Sequence, residues 1–416
     1  MSNLIELQQQ FAQLKALKLD LNMERGQPAS ENFDLCTALL TAVDENSIVT
    51  DAGVDIRNYP GGIHGLIEAR ELFCHQIGVQ PDEILIGNNS SLDLMSSVLS
   101  WALLKGVYGS AEPWIQQKPK LIVTVPGYDR HFSLAQSLGY ELLPVPMASA
   151  GPDMQAVEAA ASDASVKGIY FVPRYSNPTG ESISEANAVR LVSVPTAAPD
   201  FTIFADDAYA VHHLVDSPEA APNLLRLAQE AGNPERVILF GSTSKITFAS
   251  GGLSFTGMSD RNLKFWANRL SVQSIGPNKI EQWRHVRFLR QYPGGLEGLM
   301  RDHALILKPK FDAVQDALNT ELLPDAATWS NPEGGYFVSV DVDRPVAERV
   351  VDLCAEAGVV LTPAGATWPD GKDPTARNIR LAPTRPALTD VKKAMSVFAV
   401  CVNLATVEYD TQRLNS

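Results

Sequence analysis

Four short apolar runs constrain this chain most. They are L-I-V-T-V at 121–125, G-I-Y-F-V at 168–172, F-T-I-F at 201–204 and R-V-I-L-F at 236–240. Each is continuously apolar rather than alternating, so each predicts a strand covered on both faces. That condition is met in mainly parallel sheets sandwiched between helices. The amphipathic text between the runs supplies the crossover helices that parallel strands require. In such sheets ligands collect beyond the carboxyl ends of the strands. Four polar segments stand there: P-G-Y-D-R at 126–130, P-R-Y-S-N-P-T-G at 173–180, A-D-D-A-Y at 205–209 and G-S-T-S-K at 241–245.

At 416 residues the chain exceeds one typical domain. The alternating pattern marks residues 58–295 as a large α/β unit. From 296 to 416 the text changes to a helical stretch, then G-G-Y-F-V-S-V at 334–340, V-V-L at 359–361 and N-I-R-L at 378–381. This reads as a smaller α+β unit. Leu4, Leu7, Phe11, Leu14 and Leu17 have helical spacing, and residues 1–57 are expected to pack with the smaller unit.

With 34 Lys and Arg against 48 Asp and Glu, the net charge is −14. That argues against a nucleic-acid partner, since phosphate backbones favour basic surfaces. Cys36, Cys74, Cys354 and Cys401 are scattered, which suits reduced thiols in a cytoplasmic protein. No H-E-x-x-H occurs, and no metal site is expected. There is neither a signal-peptide pattern nor an apolar run of membrane-spanning length, so no membrane association is expected.

Asn177, Asp206, Tyr209 and Lys245 follow three of these strands and supply an amide, a carboxylate, a phenol and an amine. Pyridoxal 5′-phosphate needs that set. A lysine holds its aldehyde covalently. An acid keeps its ring nitrogen protonated, so that the ring can accept electrons. An amide and a phenol can steady its ring oxygen, and a helix start can hold its phosphate. Ser90 and Ser91 stand at such a start, before the helical run L-D-L-M at 92–95; as single residues they suit simple N-capping equally well.

N-P-T-G at 177–180, A-D-D-A-Y at 205–209, S-T-S-K at 242–245 and N-I-R-L at 378–381 resemble, in order and spacing, the signatures of class I aminotransferases of fold type I. The resemblance runs from about residue 58 to 385, and P-E-G-G-Y-F at 332–337 is similar to the family's small-domain strand. P-G-Y-D-R-H-F at 126–132, N-Y-P-G-G at 58–62 and S-I-G-P-N-K at 274–279 resemble the bacterial aspartate aminotransferase branch.

The resemblance implies a large domain around a mainly parallel sheet, a smaller α+β domain, and pyridoxal phosphate on Lys245. It selects Asp206 over the adjacent Asp207 as partner of the ring nitrogen, leaving Asp207 for a structural hydrogen bond. It implies that Tyr128 stacks on the ring and that Arg380 clamps the substrate α-carboxylate beside Asn177. It further implies that Tyr59 reaches the phosphate of a neighbouring subunit, hence a homodimer with shared sites. One position departs: Leu253 stands where the family carries a phosphate-binding cation, eight residues after the lysine. Ser90, Ser91, Ser242, Ser244 and Tyr59 are then the expected phosphate ligands.

Arg130 lies two residues after Tyr128 and suits a distal carboxylate. Arg284, Arg287 and Arg290 compete, but their near-helical spacing marks a surface or dimer-contact helix. The expected reaction is amino transfer from L-aspartate to 2-oxoglutarate, giving oxaloacetate and L-glutamate, with Lys245 moving the α-proton. Alternatives are alanine or aromatic aminotransfer, a pyridoxal-dependent β-lyase, or a pyridoxal-binding regulator; for the last, the N-terminal segment is too short and acidic to hold a DNA-binding module.

Overall fold

The structure is a computed structural model and describes residues 2–59 and 62–415; Pro60 and Gly61 of the N-Y-P-G-G stretch lie outside the described residues. Its centre is an eight-stranded sheet. In spatial order the strands are Ile84–Gly87, Ser254–Met258, Val237–Ser242, Thr202–Asp206, Val166–Phe171, Lys120–Val125, Glu141–Ala148 and Gly151–Pro152. The four strands expected from the apolar runs are its parallel centre. Ser254–Met258 inserts antiparallel between Ile84–Gly87 and Val237–Ser242, and Gly151–Pro152 is an antiparallel edge.

Alternate residues face opposite sides. Ile169, Phe171, Ile203, Ala205, Val237 and Leu239 join one core with the helices Ile67–Phe73, Met154–Ala161, Glu185–Ser193 and Lys279–Gln291. Tyr170, Phe204, Ile238 and Phe240 join a second core with Ser91–Lys105, Asp129–Ser137 and Asp260–Gln273. Because both faces are covered, the runs are mostly apolar on both alternating sets of residues. From Lys120–Val125 the chain passes outward to Glu141–Ala148 and then returns to Val166–Phe171 on the other side. The crevice at this reversal receives the loops that begin at residues 126 and 172.

A third core surrounds an antiparallel sheet of Ala327–Trp329, Val338–Val342 and Asn378–Leu381. The G-G-Y-F-V-S-V stretch becomes a strand only at Val338, later than its first glycine suggested. Gly334 and Gly335 form a loop instead: Gly335 has φ 80° and its N–H donates to the His212 carbonyl at 2.9 Å.

The N-terminal segment divides between cores, which corrects the expectation of a single attachment. Leu7 and Met23 belong to the core of the smaller sheet, and Leu21–Asn22 pairs in parallel with Val359–Val360. Cys36, Leu39 and Ile56 are buried against the large sheet. The helix Gly295–Glu321 likewise serves both, burying Leu299 and Met300 in one core and Leu307 and Phe311 in the other. The boundary expected at 295/296 thus falls inside a continuous structural unit.

Candidate active site

Lys245 follows the strand Val237–Ser242, and its Nζ lies 4.9 Å from the centroid of the Tyr209 ring. Its carbonyl accepts from the Tyr336 hydroxyl at 3.3 Å and stands 3.3 Å from His212 Nε2. Burial lowers the amine pKa from the ordinary lysine range, and the charge of Asp206 opposes that shift. A lowered lysine favours the neutral amine, the form that adds to a carbonyl.

Asp206 ends the neighbouring strand Thr202–Asp206 and is 3% exposed. Oδ2 lies 2.9 Å from His131 Nε2. Oδ1 is buried with no hydrogen-bond partner among the described residues. A buried carboxylate oxygen left without a donor costs about 1–3 kcal/mol, so this orphan marks a place for one. The protonated ring nitrogen of pyridoxal phosphate is such a donor. His131 stacks on Tyr170 at 3.8 Å between centroids and meets Tyr128 edge-on at 4.9 Å. It therefore fixes both Asp206 and the aromatic in front of it.

Asn177 Oδ1 accepts from Arg380 Nη1 at 3.1 Å. The amide nitrogen is left to donate elsewhere, as the ring oxygen of the cofactor requires. Tyr209 is 4% exposed, and burial raises its phenol well above the ordinary range, so it remains a donor. Tyr128 is pushed up to about 12, chiefly by burial. Both phenols stay neutral beside Asp206.

Ser90 caps the helix Ser91–Lys105 in extended conformation, and its hydroxyl makes no capping bond. Ser244 Oγ donates to Asn89 Oδ1 at 3.2 Å, tying the lysine loop to that helix start. Ser242 is buried at the end of its strand. An uncommitted hydroxyl at a helix N-terminus, as on Ser90, suits a phosphate. Leu253 is 1% exposed and packs into the core of the large sheet, so no cation can reach the phosphate from that position. The donor set fits pyridoxal phosphate.

Arg380 lies on Asn378–Leu381 of the smaller sheet and is 6% exposed. Nε donates to Thr362 Oγ1 at 3.1 Å, and the Thr362 hydroxyl in turn donates to the Glu24 carbonyl at 2.7 Å. The guanidinium also stands 4.9 Å over the Phe337 ring. Gly26 allows this ring its place, because a Cβ there would lie 2.4 Å from Phe337 Cζ. Residues 24–26 thus build the site's floor.

Other expected residues stand further out. Arg130 is exposed in the first turn of Asp129–Ser137 and forms no ion pair with either Asp129 or Asp207 among the described residues. Tyr59 is 73% exposed. The competing arginines are structural: Arg284 pairs with Glu281, Arg287 Nε donates to the Ala42 carbonyl at 2.6 Å and Arg290 pairs with Asp51.

Asp207 differs from expectation. Its Oδ1 is buried without a hydrogen-bond partner among the described residues. Burial pushes its pKa up to about 7, with Arg174 opposing and Asp206 adding to the rise. It lines a cavity of about 370 Å³ with Arg174, Glu181 and Glu333, on a face apart from Lys245.

Arg380 Nη1 also meets Asp129 Oδ1 at 3.3 Å. Four contributors escaped sequence reasoning: His131, Asp129, Thr362 and Tyr336. His131 was within reach, being one helical turn after Tyr128. Asp129, Thr362 and Tyr336 depend on the approach of the two units and carry no local signal.

Comparison with known proteins agrees with this geometry. The family model described as aspartate amino-transferase matches residues 1–414. An aspartate aminotransferase of Corynebacterium glutamicum is 41% identical over 406 residues, covering 97% of this chain and 94% of that protein. A crystal structure of an aspartate transaminase from the same species, also 41% identical, superposes with a TM-score of 0.95 over 98% of this chain and 96% of that one. The Thermus thermophilus α-aminoadipate aminotransferase LysN, crystallised with N-(5′-phosphopyridoxyl)-L-leucine, shares the fold at 22% identity, with a TM-score of 0.76 over 94% of each chain. Match over nearly the whole length, joined to a lysine, a carboxylate and an arginine set around one crevice, makes this chain an aminotransferase of fold type I, a member of the aspartate aminotransferase family.

Proposed function

We propose that the enzyme moves the amino group of L-aspartate to 2-oxoglutarate, giving oxaloacetate and L-glutamate, with pyridoxal 5′-phosphate held on Lys245. The observation that carries the cofactor assignment is the orphaned Asp206 Oδ1 beside a lysine of lowered pKa. When bound, the cofactor supplies a conjugated ring that takes up the electron pair left at the substrate Cα.

The residues then divide the work. Arg380, held on Nε and Nη1, offers Nη2 to the substrate α-carboxylate and so orients Cα toward the ring. Lys245 Nζ would take the proton from the substrate Cα and hold it for the return transfer. Asp206 Oδ1 would accept from the ring nitrogen, with His131 holding Oδ2. Asn177 and Tyr209 would donate to the ring oxygen, and Tyr128 would cover the ring. Ser90, Ser91, Ser242, Ser244 and Tyr59 of a partner subunit would hold the phosphate.

For the distal carboxylate we assign Arg130, a cation two residues after Tyr128 with no ion pair among the described residues. The 41% identical relative named an aspartate aminotransferase supports that substrate class. A homodimer suits the exposure of Tyr59 (73%), Val272 (76%) and Ile275 (66%). The four buried cysteines are free thiols, as suits a cytoplasmic enzyme.

Arg130→Ala, assayed with aspartate and with alanine, tests the substrate assignment. Loss of one charged contact of about 2–3 kcal/mol lowers kcat/KM for aspartate roughly 30- to 150-fold. Alanine turnover should stay within about threefold, since it presents no distal carboxylate. Undiminished aspartate turnover would remove Arg130 from the site.

A further inference from the structure

Arg380 is never without an anion. Besides Asn177 and Thr362, its Nη1 meets Asp129 Oδ1 at 3.3 Å. The two partners differ sharply in environment, with side-chain exposures of 6% for Arg380 and 39% for Asp129. A guanidinium this buried costs several kcal/mol if left unpaired, so the free enzyme needs a counter-charge. Asp129 supplies it from a position that water can reach.

The contact is also a poor one. It is longer than the roughly 2.7–2.9 Å of a strong charged hydrogen bond. It uses one carboxylate oxygen and shares Nη1 with the Asn177 amide oxygen. Nη2 takes part in none of these bonds. A ligand carboxylate that engages Nη2 as well would bind the planar fork with two parallel bonds, which Asp129 does not. Asp129, being partly exposed, can return to water at little cost.

We propose that the Asp129 carboxylate is a built-in competitor: it seats on Arg380 in the free enzyme, and the substrate α-carboxylate displaces it. This rests on the reading of Arg380 as the α-carboxylate seat. It makes Asp129 a positioning residue that sets substrate affinity, since every carboxylate ligand must first remove it. The competition is at the α-carboxylate seat, so it weakens monocarboxylates and dicarboxylates by the same factor. Simple repulsion by a nearby negative charge would instead weaken dicarboxylates more.

The test uses the holoenzyme and two unreactive ligands, succinate and propionate, with dissociation constants from calorimetry. Asp129→Asn keeps the shape and removes the charge. It should tighten both ligands by a similar factor, about three- to tenfold for a partly exposed pair. KM for aspartate should fall with it, while Asp129→Glu keeps affinity near that of the natural protein. Unchanged affinity in Asp129→Asn, or tightening confined to succinate, would overturn the proposal. Arg380→Ala separates the two readings. If it leaves succinate affinity intact, the α-carboxylate seat itself is misplaced; if it abolishes binding while Asp129→Asn changes nothing, only the competitor role fails.

Discussion

At the scale of single residues, the site is built from groups whose environments set them apart. Asp206 and Asp207 are neighbours in sequence yet meet different surroundings: His131 holds one oxygen of Asp206, whereas Asp207 has no side-chain hydrogen bond among the described residues and lines a separate cavity with Arg174. The pKa of Asp207, raised to about 7, has a consequence for stability. In the unfolded chain this carboxyl releases its proton near pH 4. A carboxyl whose pKa rises on folding therefore weakens the native state as pH climbs from about 4 to about 7, and fully above that. Asp207→Asn should stabilise the protein by roughly 1–3 kcal/mol at pH 8 and by almost nothing at pH 4. Urea denaturation at the two pH values checks this. A stabilisation equal at both would mean that the carboxyl does not titrate in that window.

The candidate site residues were largely legible at this scale, because covalent and acid–base chemistry demands particular side chains at strand ends. Lys245, Asn177, Asp206 and Arg380 announce themselves by type and position. Asp129 and Thr362 do not. An aspartate at a helix start and a threonine after a short strand are common, and their meaning comes only from the guanidinium that both touch.

Among the elements, the parallel centre of the sheet was readable and its flanks were not. Continuous apolar runs identify strands covered on both faces. Glu141–Ala148 escapes that rule because it carries Pro144 and Pro146 and exposes Glu141, Pro144 and Pro146 along its length. Proline is tolerated there because the strand lies next to the sheet's edge, bordered on its outer side only by the two-residue strand Gly151–Pro152. Ser254–Met258 is short, contains a glycine and runs against its neighbours, so no local pattern distinguishes it from a turn.

The loop before Val338–Val342 shows how elements from the two units lock together. A Cβ on Gly334 would lie 2.3 Å from the Tyr175 ring and 2.5 Å from the His212 carbonyl. Gly334→Ala should therefore destabilise by about 1–3 kcal/mol through overpacking. It should also lower activity, since Tyr336, two residues on, donates to the Lys245 carbonyl. Thermal unfolding together with specific activity reads both effects. A fully stable Gly334→Ala enzyme would show that the loop can move aside.

For the whole molecule, the crevice gathers residues from three stretches of sequence. The large sheet brings Lys245, Asp206 and Asn177, the smaller sheet brings Arg380, and the N-terminal segment supplies the Glu24 carbonyl beneath Thr362. Two cores joined by the helix Gly295–Glu321 allow this convergence, and it explains why residues 1–57, expected from their pattern to pack with the smaller unit, divide between both. If the partner subunit's Tyr59 completes each phosphate site, a mixed dimer of Lys245→Ala and Tyr59→Ala subunits holds one site with neither defect. Activity should rise on mixing the two weak variants, toward about a quarter of the natural level if subunits exchange at random and the sites are independent. No rise despite proven exchange would place Tyr59 on its own subunit's site or outside it.

The central claim is that Lys245 holds the cofactor. The most direct measurement is to load the protein with pyridoxal 5′-phosphate, reduce it with borohydride, digest it and locate the phosphopyridoxyl group by mass spectrometry. The modification should fall on the peptide containing Lys245, with one group per chain, and Lys245→Ala should carry none. A group fixed chiefly on any other lysine, or undiminished labelling of Lys245→Ala, would contradict the site described above.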